Sequence, residues 1–275
     1  MTEASKTLQA LARTLAEAHR ALPGARAALL TGSAAQGISD FYSDIDLILY
    51  YDALPETFPL IEASPPIWRV GDSASGAVMM AHRIDGVECQ LVHTTLDALD
   101  AQFRTVQEDL DVASPVQKAL SGILEGLPLF GEELVATLKA RAANYPDALG
   151  AKMIEAHLSF FPLWNAGGWL APRDCALWQT EIRYEACKNV LAVLCGLNRV
   201  YFTPFQLKHT RNLCEKLPLA PENLPARLEA ALGGSLAELR SLAEETVSLV
   251  EANRPEISTE TVRRQLARTW TPWRG

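Results

Sequence analysis

The spacing of apolar residues changes near residue 95, which limits the chain to folds that combine a sheet with a helical region. Before this point, short runs of apolar, β-branched and aromatic residues alternate with turn residues, as is typical of β-strands. These runs cover residues 27–31, 45–51, 67–70, 77–84 and 87–93. Asp85-Gly86 separates the last two runs and predicts a β-hairpin.

Beyond residue 95, apolar residues recur three or four positions apart and prolines separate the segments, which predicts helices. Leu120, Ile123 and Leu127 continue one such stripe, and the N-terminal 22 residues show the same spacing. Further helices are expected at 132–144, 148–161, 174–196, 204–216, 221–232 and 235–253. We therefore expect an α+β fold with two domains. A small sheet domain with an N-terminal helix would cover residues 1–95, and an α-helical bundle domain would cover residues 96–275.

Composition narrows the class of partner. The formal net charge is −8, so the chain repels phosphate backbones, and a small cationic or neutral molecule is a better partner than long nucleic acid. The five cysteines include no C-x-x-C pair, which favours reduced thiols over a zinc site or a disulfide framework. The sequence contains neither a signal peptide nor an apolar run long enough to cross a bilayer. We expect a cytoplasmic protein without membrane contact; its oligomeric state is open.

The most informative stretch joins Gly32-Ser33 to Asp44 and Asp46. A buried strand ends just before Gly32, which allows a tight turn and the close approach of a phosphate, and Ser33 adds a hydroxyl and a backbone N–H. Side chains two residues apart on a strand share a face, so Asp44 and Asp46 point the same way. Two adjacent carboxylates repel each other unless a cation lies between them, and hard divalent cations prefer oxygen ligands.

Gly32-Ser33, a ten-residue spacer that ends at Ser43, and Asp44-Ile45-Asp46 resemble the signature of the polymerase-β-like nucleotidyltransferase superfamily. The similarity is greatest to its small-molecule branch, which includes aminoglycoside and lincosamide nucleotidyltransferases. The resemblance implies a mixed sheet with the carboxylates at its edge, two Mg²⁺ ions, ATP or another NTP as donor, and pyrophosphate as leaving group. Gly32, Ser33 and Ser43 would contact the nucleotide, and Asp44 and Asp46 would be catalytic metal ligands. Members often have a basic residue after Gly-Ser, where this chain has Ala34-Ala35-Gln36.

The resemblance also implies a third carboxylate on a later strand. Glu88, in Val87-Glu88-Cys89, fits as a metal ligand or as the general base that accepts the proton of the attacking hydroxyl. A solvent-exposed glutamate after a hairpin turn is the alternative. Asp85 is better explained as a turn residue because Gly86 follows it.

Similar enzymes use a lysine of the helical domain to reach the triphosphate, and Lys188 is the candidate here. A surface pair of Lys188 with a nearby glutamate is the alternative. Upstream, aromatic and acidic residues suit a cationic ring compound, although the tryptophans could equally be core or loop anchors. These candidate acceptor-binding residues are Asp174, Trp178, Glu181 and Glu185, with Trp164 and Trp169 nearby.

The sequence thus predicts transfer of a nucleoside monophosphate, for example AMP from ATP, to a hydroxyl of a small acceptor such as an aminoglycoside-like antibiotic. Transfer to a protein hydroxyl and a non-catalytic nucleotide-binding role are the alternatives. The five histidines have no metal-ligand spacing and are interpreted as structural or surface residues, and Trp270 and Trp273 are expected to dock the C-terminal tail.

Overall fold

The computed structural model describes residues 1–59, 65–161, 163 and 173–269. The chain divides into two compact units, Met1–Asp109 with Ala119–Asn144, and Leu110–Lys118 with Tyr145–Gly275. This division differs from the domain boundary expected at residue 95, because segments that follow the main strands pack with the sheet. Trp164, Trp169, Trp270 and Trp273 lie outside the described residues.

A six-stranded sheet forms the centre of the first unit, with the strand order β3-β4-β5-β2-β1-β6. Strand β2 pairs with β5 in parallel, and the other neighbours are antiparallel. The sheet is therefore mixed, and the expected α+β fold class is confirmed. The strands are β1 (Ala25–Thr31), β2 (Ile45–Tyr51), β3 (Trp68–Asp72), β4 (Ala77–Ile84), β5 (Val87–Thr95) and β6 (Leu127–Phe130).

The predicted hairpin is present between β4 and β5. Asp85 and Gly86 both adopt positive φ, of 51° and 81°, as a tight two-residue hairpin turn requires. The helix predicted to continue through Leu127 ends at Glu125 instead, and Leu127 begins β6. Pro128 explains this difference, because a proline disfavours helical backbone in the residue before it.

One face of the sheet packs against the first helix, whose N-cap Thr2 accepts a hydrogen bond from the Ser5 N–H. Its buried residues Leu8 and Leu15 join a core that includes Leu47 and Leu91. This face therefore buries the apolar side chains of β2 and β5. The helices that begin in or join this unit are α1 (Glu3–Arg20), α2 (Gly32–Gln36), α3 (Leu96–Gln107), α4 (Gln117–Glu125) and α5 (Glu132–Ala143).

The second unit is helical. Its longest helix, α7 (Ala176–Leu197), is buried almost all round at its C-terminal half and contributes Val190, Leu191 and Leu194 to the core. The region 204–216, expected to be one helix, begins as a 3₁₀ helix at Pro204–His209. The other helices are α6 (Asp147–His157), α8 (Thr210–Cys214), α9 (Leu224–Leu232), α10 (Leu236–Asn253) and α11 (Glu260–Ala267). Among the described residues, no helix combines the length and apolar character needed to span a bilayer.

Candidate functional site

The strand register brings the sequence motif together at one end of the sheet. Thr31, the last residue of β1, pairs with Asp46 of β2, and Asp46 pairs in turn with Gln90 of β5. Asp46 and Gln90 are half-buried, whereas their neighbours Ile45 and Leu47 are fully buried on the opposite face. Strand alternation therefore separates a polar face at this end from the core beneath it.

The side-chain amide of Gln90 links two of the predicted carboxylates. Its Nε2 donates to Asp44 Oδ2 at 3.0 Å and lies 3.5 Å from Glu88 Oε1. Asp44, just before β2, and Glu88, on β5, are thus brought to the same place although 44 positions separate them in the chain. Gln90 lies two residues after Glu88 on β5 and so on the same face, but the sequence alone gives it no role. Its position next to Asp46 in the parallel register is the signal that identifies it.

Gly32 occupies the turn at the end of β1 and lies against Asp46. Its φ is +68°, a backbone conformation that favours glycine, and α2 begins at Gly32 itself. A Cβ added at Gly32 would lie 2.4 Å from Asp46 Oδ2. The glycine is therefore required on two counts, and its backbone and the Asp46 carboxylate share one small space.

The hydroxyl groups of the motif hold the loop between α2 and β2. Ser33 Oγ lies 3.2 Å from Ser39 Oγ, and Ser43 Oγ donates to Asp40 Oδ1 at 3.0 Å. The start of α1 braces the same loop, since Thr2 Oγ donates to the Ser39 carbonyl at 2.8 Å. Asp40 is the centre of this turn, with hydrogen bonds to Ser43 and to the Tyr42 N–H. Ser33 and Ser43 thus position the chain that leads into Asp44.

Glu88 is partly open to solvent and has a basic partner on the neighbouring strand. Its side chain is 36% exposed, and its Oε2 lies 4.0 Å from Arg83 Nη2. Asp85 lies in the hairpin turn with positive φ, which confirms its interpretation as a turn residue. Glu88 therefore combines a partner across the hairpin with a link, through Gln90, to Asp44.

Cys89 lies on the buried face beneath the carboxylates, and their negative charges affect the pKa of its thiol. Burial, together with smaller contributions from the charges of Asp44, Asp85 and Glu88, raises the pKa of the Cys89 thiol to about 11. The thiol therefore stays protonated at neutral pH. The site is one of oxygen atoms above a neutral sulfur, which matches the ligand preference of Mg²⁺ rather than that of a thiolate-bound metal.

Within residues 1–59, 65–161, 163 and 173–269, no group of three or more histidine, cysteine, aspartate or glutamate side chains is arranged to hold a metal ion. Magnesium, however, usually binds through one or two carboxylates and keeps water or substrate phosphates as its other ligands. Asp44 and Asp46 would be a carboxylate pair of this kind. The Gly32 turn adds a space beside Asp46 that a Cβ would fill, so the donor set fits Mg²⁺.

The remaining predicted residues belong to the second unit. Lys188 Nζ lies 2.6 Å from Glu185 Oε2 and 5.9 Å from the centroid of the Tyr184 ring, so Lys188 forms the ion pair that was the alternative to a nucleotide contact. Trp178 and Glu181 lie on α7 and are exposed, with Trp178 at 40%. Asp174 is exposed but precedes α7, which begins at Ala176 rather than at residue 174 as expected.

Comparison with known proteins finds similarity among solved structures. No protein-family model matches the chain, and no curated protein matches it. Among solved structures, the chain is similar to one described as a nucleotidyltransferase-like protein from Exiguobacterium sibiricum 255-15, with 16% sequence identity and a TM-score of 0.39. The alignment covers 96% of this chain and 82% of that chain. At this level of similarity, the roles of the site residues have to follow from the chain's own geometry and chemistry.

Proposed function

We propose that this chain is a magnesium-dependent nucleotidyltransferase that moves a nucleoside monophosphate, such as AMP from ATP, onto a hydroxyl of a small acceptor. The observation that carries the proposal is the convergence of the Gly32 turn with Asp46, Asp44 and Glu88 at one end of the sheet. A tight glycine turn admits a phosphate, and the carboxylates beside it attract the cation that a triphosphate carries.

Each residue of the site has a part in this reaction. Asp44 and Asp46 would hold Mg²⁺, which when bound neutralises phosphate charge and polarises the attacking hydroxyl. Gly32 and Ser33 would face the phosphates through backbone N–H groups, and Ser43 holds the turn that precedes Asp44. Gln90 is a positioning residue, because its amide fixes Asp44 relative to Glu88.

The transfer itself exchanges one bond for another. The acceptor oxygen forms a bond to the α-phosphorus, the bond from that phosphorus to the bridging oxygen breaks, and pyrophosphate leaves with the electron pair. The hydroxyl proton goes to Glu88, whose carboxylate is accessible. No other co-reactant is needed for the balance.

The direct test is AMP transfer from radiolabelled ATP with Mg²⁺, together with release of pyrophosphate. We expect Asp44→Asn and Asp46→Asn to lower turnover by about a thousandfold each, because each removes a metal-binding charge, while thermal melts stay within a few degrees of wild type. Chelation of Mg²⁺ with EDTA should stop the reaction and added Mg²⁺ should restore it.

Asp52→Asn is the matched control. Asp52 follows the other end of β2 and pairs with Arg26, with Nη1 and Oδ1 2.7 Å apart, so its loss removes an equal charge from the same strand region without touching the site. Full turnover in Asp44→Asn or Asp46→Asn would reject the assignment. Equal losses in Asp52→Asn would indicate a general charge effect.

A further inference from the structure

We propose that the acceptor of the transferred nucleotide carries an apolar, ring-sized body, which rests on an apolar strip formed by Val70, Met79 and Val92 beside the carboxylates. This inference rests on the proposed nucleotidyl transfer and adds the class of acceptor to it. All three residues belong to the first unit, and the name apolar strip refers to them below.

The strand register places the apolar strip on the same face as the site. Val92 follows Gln90 by two residues on β5, so both point to the same side. Met79 of β4 pairs with Val92, and Val70 of β3 pairs with Met79. The strip therefore runs from the edge of the carboxylate cluster across three neighbouring strands, over about 10 Å from the usual strand spacing.

Two of the three side chains of the apolar strip are open to solvent. Val70 is 62% exposed and Met79 is 41% exposed, whereas Val92 is half-buried. On the opposite face of the same strands, Val78 and Met80 are completely buried. Neighbouring exposed apolar side chains on the same sheet face as a polar site are a feature of ligand-binding surfaces.

The chemistry of the transfer assigns an occupant to this surface. Gly32 and Ser33 follow β1, which neighbours β2 on one side, while the apolar strip begins on β5, which neighbours β2 on the other side. In an in-line displacement the attacking and leaving oxygens lie on opposite sides of the phosphorus. With the leaving pyrophosphate at the Gly32 turn, the acceptor hydroxyl approaches from the β5 side, above the apolar strip.

An apolar surface next to the position of the attacking hydroxyl favours acceptors that lose little hydration when they bind to it. A flat aromatic or alicyclic body removes apolar area from water on both partners. A polycationic sugar would instead place ammonium groups over apolar side chains and lose hydration without a partner. The acceptor class indicated by this surface is thus an alcohol with an apolar body, rather than the aminoglycoside-like compound suggested by the sequence resemblance.

The test compares three acceptors at fixed Mg²⁺ and ATP: 2-phenylethanol, glycerol and kanamycin. We expect the highest kcat/KM for AMP transfer to 2-phenylethanol. In the double variant Val70→Thr with Met79→Gln, we expect the KM for 2-phenylethanol to rise about tenfold, with the KM for ATP and the kcat unchanged. Both positions are exposed, so the fold should tolerate the changes, as a thermal melt would verify.

Leu232→Gln is the matched control, since it removes an apolar side chain that is 49% exposed and lies in the second unit. Equal or greater transfer to glycerol or kanamycin, or an unchanged KM for 2-phenylethanol in the double variant, would overturn the apolar-acceptor inference and leave the proposed function intact. Absence of Mg²⁺–ATP binding by calorimetry, or of AMP transfer to all three acceptors, would overturn the proposed function and this inference together.

Discussion

On one face of β2 and β5, the side chains of Asp46, Glu88 and Gln90 are half-buried, whereas on the other face Leu47 and His93 are almost completely buried. The same two strands therefore hold ionisable groups in two environments. The polar face keeps carboxylate oxygens within reach of water and a cation. The opposite face holds His93, whose pKa is lowered by burial, so its neutral form is favoured there. Strand alternation therefore places the candidate catalytic side chains on one face of these strands and the side chains of the core on the other.

The buried face contains a cluster that the sequence did not single out. His93 is packed between the imidazole of His19, with ring centroids 5.4 Å apart, and the ring of Phe58 at 4.2 Å. Its Nδ1 lies 3.1 Å from the Tyr51 hydroxyl. The Nε2 atoms of His19 and His93 are buried and have no hydrogen-bond partner among the described residues. These histidines are therefore structural, in agreement with one of the two sequence interpretations, and both must stay uncharged.

The largest effect that would sharpen the comparison is expected from Glu88→Gln on the polar face. General-base or metal-ligand roles contribute factors of about 10² to 10⁴, so we expect kcat for AMP transfer to fall about a thousandfold, or about 4 kcal/mol. Stability should hardly change, because the side chain is partly exposed.

Arg83→Gln serves as its control, because it breaks the same Arg83–Glu88 contact and leaves the carboxylate in place. A similar loss of kcat in both variants would mean that the contact, rather than the carboxylate, matters. Undiminished transfer in Glu88→Gln would remove Glu88 from the site and favour its interpretation as a surface residue.

A second substitution addresses Gly32, in the turn that follows β1 and begins α2. Gly32→Ala combines a positive φ with a contact of 2.4 Å between the new Cβ and Asp46 Oδ2, so the carboxylate must move. We expect turnover to fall about a hundredfold, or about 2.7 kcal/mol.

Gly86→Ala is matched to it in backbone, with φ of +81° and no atom within 4 Å of the added Cβ. It should cost only backbone strain, roughly 1 kcal/mol of unfolding free energy, and leave turnover unchanged. Equal turnover of the two variants, measured under saturating ATP, would show that the Asp46 position is not critical.

Lowering the pH should reduce the stability of the protein through the histidines of the buried face. Burial lowers the pKa of His93 to about 3, with smaller contributions from the charges of His19, His82 and Arg69, and burial also lowers the pKa of His19. Because the folded pKa lies below the unfolded value, the stability contribution is complete above about pH 6.5 and is lost as the pH falls toward 3. For His93 alone, the loss at pH 5 is about 2 kcal/mol.

Denaturant unfolding at pH 7 and pH 5 measures this loss in the free energy of unfolding. His93→Leu should be less stable at pH 7, because Tyr51 loses its neighbour, yet its stability should fall less between the two pH values than that of the wild type. His209→Gln, which changes an exposed histidine, should retain the wild-type slope. A wild-type slope in His93→Leu would assign the acid sensitivity to other groups.

Features of these two faces that depend on neighbouring residues in the chain could be predicted from the sequence, whereas features that depend on the pairing of distant strands could not. Alternation within β2 is local, so the position of Asp46 on the face opposite Ile45 and Leu47 was predictable, and the Asp85-Gly86 dipeptide predicted its own hairpin. The Gln90 link requires the parallel pairing of β2 with β5, and nothing in either strand specifies that register. Strand β6 was missed because its four residues gain their strand conformation only by pairing with β1. The apolar strip likewise becomes visible only when β3, β4 and β5 are aligned.

The smallest expected effect concerns Lys188, whose role the sequence left open between nucleotide contact and a surface ion pair. Its amino group lies close to Glu185, so a purely structural pair would contribute only a few tenths of a kcal/mol. If Lys188 also contacts phosphate, Lys188→Gln should raise the KM for ATP about threefold, under 1 kcal/mol, while Glu185→Gln leaves that KM unchanged because it frees the lysine. Lys152→Gln, an exposed lysine on α6, controls for the loss of one positive charge. Steady-state kinetics on the three variants test this role. Equal KM values for ATP would show that Lys188 serves only in the ion pair. Groups of the sheet unit would then bind the nucleotide, and magnesium would have to supply the positive charge that Ala34-Ala35-Gln36 lacks.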